Sequence, residues 1–173
     1  NNVGWTIDRL FMEKPREEWE KEVKVNLWGA INCIHGVLPS MIERQSGAIV
    51  SISSDAGRMG EYREAVYSAC KAGVIALSKA IARETGRYGL RLNMVCPGLV
   101  VPGEDESISG ESMWNQMRDI FTEDVLERVK RGYLFRRLAN GSEIANAVVF
   151  LSSDAASFIT GQTLSVSGGY TMM

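Results

Sequence analysis

Two short apolar runs, set either side of a long small-residue stretch, constrain the fold of this chain more than any other feature. Ala48-Ile49-Val50-Ser51-Ile52-Ser53-Ser54 alternates β-branched with small residues and reads as a strand entering a turn at Asp55-Ala56-Gly57. Arg91-Leu92-Asn93-Met94-Val95-Cys96 reads as a second, buried strand that stops at Pro97-Gly98. Between them, residues from about 65 to 86 form a predicted helix, where Ala69, Ala72, Gly73, Ala76, Ala80 and Ala82 give a small-residue surface suited to close packing. An earlier helix is predicted from Lys14-Pro15-Arg16-Glu17-Glu18-Trp19, with proline in its first turn and carboxylates at the positive end of its dipole. Its apolar positions recur at three and four as far as Ile42, and it stops near Gln45-Ser46-Gly47. Ser142 is expected to cap a further helix through Phe150, with Glu143 in its first turn, and Thr163-Leu164-Ser165-Val166-Ser167 reads as the last strand. Strand, helix, strand, helix, strand predicts a parallel α/β architecture without internal repeats.

Composition narrows the function classes. The 173 residues fit one domain with a sizeable core, and 45% hydrophobic with 23% charged residues is ordinary for a soluble globular protein. A net charge of −2 gives no reason to expect nucleic acid or an anionic membrane as a partner. No apolar run reaches the ~20 residues of a membrane span, and the start resembles no signal peptide. Cys33, Cys70 and Cys96 lack metal-ligand spacing and are expected to be buried, reduced thiols of a cytoplasmic protein. The one histidine, His35, is read as a packed helix residue, so neither a histidine triad nor a multi-histidine metal site is expected.

Tyr67-Ser68-Ala69-Cys70-Lys71 places a tyrosine and a lysine four apart, on one face of the predicted second helix. A phenol titrates near pH ~10, and a nearby ammonium is expected to lower that value by about 1–3 pH units. Ser54 closes the first strand at its carboxyl end, where open α/β sheets place their ligands, and offers a hydroxyl donor to an oxygen that gains charge.

Further motifs share the chain with this trio. They are Asn1-Asn2-Val3-Gly4, Val25-Asn26-Leu27-Trp28-Gly29, Cys96-Pro97-Gly98-Leu99-Val100, Ile159-Thr160-Gly161-Gln162 and Val166-Ser167-Gly168-Gly169. In this order and spacing they resemble the short-chain dehydrogenase/reductase family over essentially the whole chain. The resemblance implies a Rossmann-type, doubly wound parallel α/β sheet, of which the chain would carry the C-terminal two-thirds, with residues 1–173 as one partial NAD(P)-binding domain. It implies an oxidoreductase that interconverts a secondary alcohol and a ketone with NAD or NADP. It also implies a homo-oligomer, tetramer or dimer, with the two long helices packed against symmetry mates. A reading from a different class is a non-catalytic family remnant that serves as an assembly or interaction module.

By resemblance the catalytic residues are Asn26, Ser54, Tyr67 and Lys71. Tyr67 would exchange the substrate hydroxyl proton, Lys71 would depress the tyrosine pKa and bind the nicotinamide ribose, and Ser54 would donate to the substrate oxygen. Asn26 would hold a water through the helix backbone; its other reading is an amide bonding its own helix. Cofactor contacts carry over to Asn1, Gly4, Tyr67, Lys71, Pro97, Gly98 and Val100. Val3 stands where the family has alanine, and Pro102, with neither hydroxyl nor N–H, stands where it has threonine. The segment from about 102 to 135 is expected to form a helical cover or substrate lid, with Met113, Trp114, Met117 and Phe121, together with Trp5, favouring an apolar or alicyclic skeleton. Ser54, Tyr67 and Trp114 are the substrate candidates. Lys130, Arg131, Arg136 and Arg137 are read as a solvated helix end before a site for a phosphorylated carrier. Within the family, Ser54-Asp55-Ala56, residues 64–71 and residues 158–162 resemble the 2-hydroxycyclohexanecarboxyl-CoA dehydrogenases, which oxidise an alicyclic hydroxyacyl-CoA with NAD. No G-x-G-x-x-G loop opens a helix, and half of a doubly wound sheet leaves an apolar edge. The expectation is therefore part of a longer enzyme rather than a natural mini-protein.

Overall fold

The architecture was read from a computed structural model, which describes residues 1–102, 110, 112–117 and 119–173. Three parallel strands, β1 (Gly47–Ile52), β2 (Leu90–Pro97) and β3 (Thr163–Val166), lie side by side in chain order. Gly47 pairs with Leu90 and Ile52 with Val95, while Met94 pairs with Thr163. Seven helices accompany them among the described residues: α1 (Arg16–Glu22), α2 (Gly29–Glu43), α3 (Ala56–Met59), α4 (Ala65–Thr85), α5 (Trp114–Met117), α6 (Glu123–Lys130) and α7 (Gly141–Ser152).

Strand alternation sends successive side chains to opposite faces, and each face is covered. Ile49 and Leu92 meet Ile34 of α2 and Ala82 of α4, whereas Val50 and Val95 meet Leu151 of α7 and Ala156. This is a parallel α/β sheet, as the strand–helix alternation predicts, and it is doubly wound, as the family resemblance implies. Asn1 runs along the outer edge of β1: its carbonyl accepts from the Ile52 N–H at 2.8 Å and its amino group donates to the Val50 carbonyl at 3.0 Å.

Several expectations change. The helix predicted from residue 14 onward is α1 and α2 joined by a π-helical turn, Val23–Trp28. Asn140, not Ser142, caps α7, because its extended backbone lets Oδ1 accept from the Glu143 N–H at 3.0 Å while Glu143 accepts from the Asn140 N–H at 3.0 Å. Cys33 and His35 are exposed, since the inward face of α2 is set by Ile34, Leu38 and Met41; only Cys70 and Cys96 are buried. By length and composition alone Ala65–Tyr88 is apolar enough to cross a membrane, contrary to the sequence expectation. That stretch owes its apolarity to small residues, and it packs on α3 and β2. Of the expected lid, residues 103–109, 111 and 118 lie outside the described residues; the rest contains the two helices α5 and α6.

Candidate active site

The carboxyl end of β1 and the start of α4 are latched together. Ser53 Oγ donates to the Lys71 carbonyl at 2.9 Å, and Lys71 Nζ donates to the Ile52 carbonyl at 3.0 Å. Gly57 in α3 makes the approach possible, because a Cβ there would stand 2.7 Å from the Lys71 carbonyl carbon and 2.8 Å from the Ala72 nitrogen. Ser54 Oγ accepts from the Ala56 N–H at 3.1 Å, and Ser54 lines the same cavity as Tyr67. Beneath this turn, buried Asp55 accepts from Ser165 Oγ at 2.5 Å, and Ser165 also accepts from Arg58 at 2.7 Å, so β3 steadies the loop that carries Ser54.

Asn26 sits inside the π-helical turn and is buried. Its Nδ2 donates to the Trp5 carbonyl at 2.7 Å and to the Glu22 carbonyl at 2.9 Å, while Oδ1 accepts from the Trp5 N–H at 3.0 Å. It therefore bonds its own helix and also clamps the segment after Gly4. A Cβ on Gly4 would lie 3.3 Å from Asn26 Oδ1 and 3.5 Å from Lys71 Nζ, so Gly4 marks where these two residues meet. Below it, Lys14 forms a buried ion pair with Glu22, whose Oε1 also accepts from Thr6 Oγ1 at 2.7 Å.

One cavity of about 760 Å³ is lined by Asn1, Gly4, Ser54, Tyr67 and Lys71, and also by Pro97, Gly98, Val100 and Trp114. All the nominated residues except Asn26 thus face the same space, and Asn26 reaches it through Gly4 and Lys71. Met113, Trp114, Met117 and Phe121 form its apolar wall and pack in one cluster with Trp5 and Ile7. Of the basic residues at the end of α6 and beyond it, Lys130 pairs with Glu127 at 2.5 Å and Arg137 with Glu143 at 2.6 Å.

The electrostatics correct one expectation. Burial pushes the Tyr67 phenol above its usual value, and the Glu64 carboxyl pushes it further, outweighing the lowering by Ser54. Lys71 does not reverse this: its Nζ lies 5.5 Å from the Tyr67 ring centre, and burial pulls its own pKa down to about 8. Desolvation wins over the cation in this arrangement.

Sequence reasoning missed four groups. Asp8 and Glu64 line the cavity, and burial pushes both carboxyls above their usual values. Tyr133, stacked on Tyr170 with ring centres 4.9 Å apart, accepts the Leu99 N–H at 2.7 Å and so holds the Pro97–Val100 loop. Tyr170 in turn donates to Glu61 at 2.6 Å. No local spacing signals these contacts; the topology alone assembles them.

A family model described as Enoyl-(Acyl carrier protein) reductase matches residues 1–171. The chain belongs to the short-chain dehydrogenase/reductase family. The 3-oxoacyl-(acyl-carrier-protein) reductase FabG of Staphylococcus epidermidis is 40% identical over 172 residues, covering 99% of this chain and 65% of that protein. FabG of Escherichia coli is 37% identical over 173 residues, covering 100% of this chain and 66% of that protein. The chain thus spans 65–66% of the length of these relatives. The solved 3-oxoacyl-(acyl-carrier protein) reductase of Brucella melitensis superposes with a TM-score of 0.87 at 30% identity, over 99% of this chain and 62% of that one. ElxO with NADP bound superposes at 0.85 and 27% identity, over 98% of this chain and 65% of that one.

Proposed function

We propose that this protein is an NAD(P)H-dependent ketone reductase, working reversibly as an alcohol dehydrogenase, with a 3-oxoacyl thioester as substrate class. The observation that carries the reading is the pair of hydroxyl-bearing residues, Ser54 and Tyr67, lining one cavity together with Lys71. Two converging O–H groups are complementary to a carbonyl oxygen that gains negative charge. That favours reduction of a ketone over reduction of a carbon–carbon double bond, the reaction named by the family model's description.

When bound, a nicotinamide cofactor supplies the hydride or accepts it. The residues fit such a group: among the described residues the Lys71 ammonium has one acceptor, the Ile52 carbonyl, leaving donors free on the cavity side. Lys71 and Tyr67 would hold the ribose, Asn1 and Gly4 the adenosine side, and the Pro97, Gly98 and Val100 backbone the carboxamide. ElxO, a solved neighbour, holds NADP, which supports this class of cofactor.

In the forward direction Ser54 and Tyr67 grip the ketone oxygen and Tyr67 gives its proton to that oxygen. Asn26 holds Trp5 and the π-helical turn so that Gly4 stays against Lys71. The segment from about 102 to 135 acts as the substrate lid, with Trp114 against the acyl chain; the alicyclic CoA ester implied by the subfamily resemblance falls within the same thioester class. Exposed Trp28 and Val37 beside α4's exposed Ala69, Ala72 and Ala76 support a homo-oligomer built on these helices. Unpaired cysteines fit a cytoplasmic setting.

The test is consumption of NADPH and NADH with a 3-oxoacyl thioester and, separately, a 2-enoyl thioester. Turnover of the ketone is expected. Turnover of the enoyl ester alone would transfer the protein to the other reaction, and failure to bind either cofactor would favour the non-catalytic reading.

A further inference from the structure

The Gly168-Gly169 turn near the C-terminus has no part in the reaction above. Both glycines have positive φ, 56° and 82°, a conformation that residues with a Cβ rarely adopt. A Cβ on Gly169 would stand 2.6 Å from Leu134 Cδ1, so the turn also lets the chain close onto the segment that leaves α6. The Phe135 N–H donates to the Gly168 carbonyl at 3.3 Å and sets the two segments in register. Tyr170 is thereby laid on Tyr133 with ring planes 15° apart, and Tyr133 is left only 2% exposed.

This stack bridges two walls of the cavity. On one wall the Tyr133 hydroxyl accepts from the Leu99 N–H at 2.7 Å. The approach needs glycine at position 98, where a Cβ would lie 2.7 Å from Tyr133 Oη and 2.9 Å from its Cε1. The Pro97 carbonyl accepts from the Asp55 N–H at 3.0 Å, so the backbone is held on both sides of Gly98. On the other wall Tyr170 Oη donates to Glu61 Oε2 at 2.6 Å, and the Glu61 N–H donates to Ser68 Oγ at 3.1 Å. Ser68 follows Tyr67 in the first turn of α4. Gly98, Leu99, Tyr133, Tyr170, Glu61 and Tyr67 all line the same cavity.

We propose that Tyr133 is a positioning residue for the nicotinamide carboxamide: its hydroxyl, braced through Tyr170 on Glu61, sets the Pro97–Val100 backbone and ties it to the helix that carries Tyr67. The proposal rests on the nicotinamide-binding part of the reading above. Without that hydroxyl the Leu99 N–H loses its acceptor beside a buried ring. The loop then turns toward another acceptor, and the neighbouring backbone groups that meet the carboxamide turn with it.

The test uses Tyr133→Phe, which keeps the ring and its stack and removes only the acceptor. Two readouts need no turnover. Amide hydrogen exchange at Leu99 in the cofactor-free protein should quicken about tenfold. By titration calorimetry NADP⁺ should bind about fivefold more weakly, whereas its 3-acetylpyridine analogue, which has a methyl group in place of the carboxamide amino group, should weaken less than about twofold. In turnover, KM for NADPH should rise while KM for the 3-oxoacyl thioester stays where it was. Tyr170→Phe removes the bond to Glu61 and should move the same quantities the same way by a smaller factor; it serves where Tyr133→Phe does not fold. An unchanged Leu99 exchange rate, or equal weakening of both nucleotides, would overturn the proposal and assign the stack a purely structural role. The ketone-reductase reading fails separately, by a parent protein that binds NADPH and leaves the 3-oxoacyl thioester unreduced; the comparison of the two nucleotides still decides the role of Tyr133.

Discussion

The end of β1 joins the start of α4 through directional hydrogen bonds, whereas the 112–121 segment meets Trp5 and Ile7 by apolar packing. On the first side Ser53, Lys71 and Asn26 are each tied to a named backbone atom, so the frame that carries Ser54 and Tyr67 is fixed. On the second side Met113 and Met117, unbranched and polarisable, can refit around ligands of different shape. The contrast sets the hydroxyls of the proposed reaction on the latched side and the proposed substrate wall on the packed side.

The contrast breaks most visibly at Gly57. Gly57→Val pushes a branched side chain into the Lys71 and Ala72 backbone, and unfolding by denaturant should show a loss of about 3 kcal/mol together with lost turnover. A stable, active variant would mean that the latch is not tight. Asn26→Ala strips both hydrogen bonds from Trp5 and should cost about 2 kcal/mol, with kcat falling as Lys71 loses its neighbour. Trp114→Ala removes a partly buried ring from its contact with Phe121, 5.6 Å away between centres. It should cost only about 1 kcal/mol and raise KM for long acyl chains more than it lowers kcat. An effect confined to kcat would instead place Trp114 on the chemical side.

The smallest effect expected is on pH-dependent stability. Glu64 has a folded-state pKa of about 8 against an ordinary 4.5, so between those values the folded chain keeps a proton that the unfolded chain releases. Stability from this group is therefore full below the ordinary value and declines as pH rises toward about 8. Melting temperatures across that window should fall less steeply for Glu64→Gln than for the parent.

Much of this was legible in the sequence, for physical reasons that differ by element. β1 and β2 announce themselves through β-branched alternation, and α4 through small residues without strand pattern. That Ser54, Tyr67 and Lys71 line one cavity was legible because their placement depends on spacing within single elements and on their order along the chain. Contacts made only by topology were not. Asp8 and Glu64 line one cavity because the Arg9 N–H bonds to the Arg63 carbonyl, and nothing local to either residue signals it. The direction of the Tyr67 shift was misread for the same reason, since a Tyr-x-x-x-Lys spacing reports a nearby cation but not the depth of burial that overrides it. The α7 cap fell to Asn140 because capping depends on backbone geometry, and both Asn140 and Ser142 are competent side chains.

The central claim is that Tyr67 delivers the proton to a ketone oxygen held jointly with Ser54. Its most direct test is kcat for NADPH-dependent reduction of a 3-oxoacyl thioester by Tyr67→Phe, with far-ultraviolet circular dichroism confirming the fold. The account predicts a fall of about 10²–10⁴-fold with the fold retained. A folded Tyr67→Phe protein that turns over at the parent rate would contradict it.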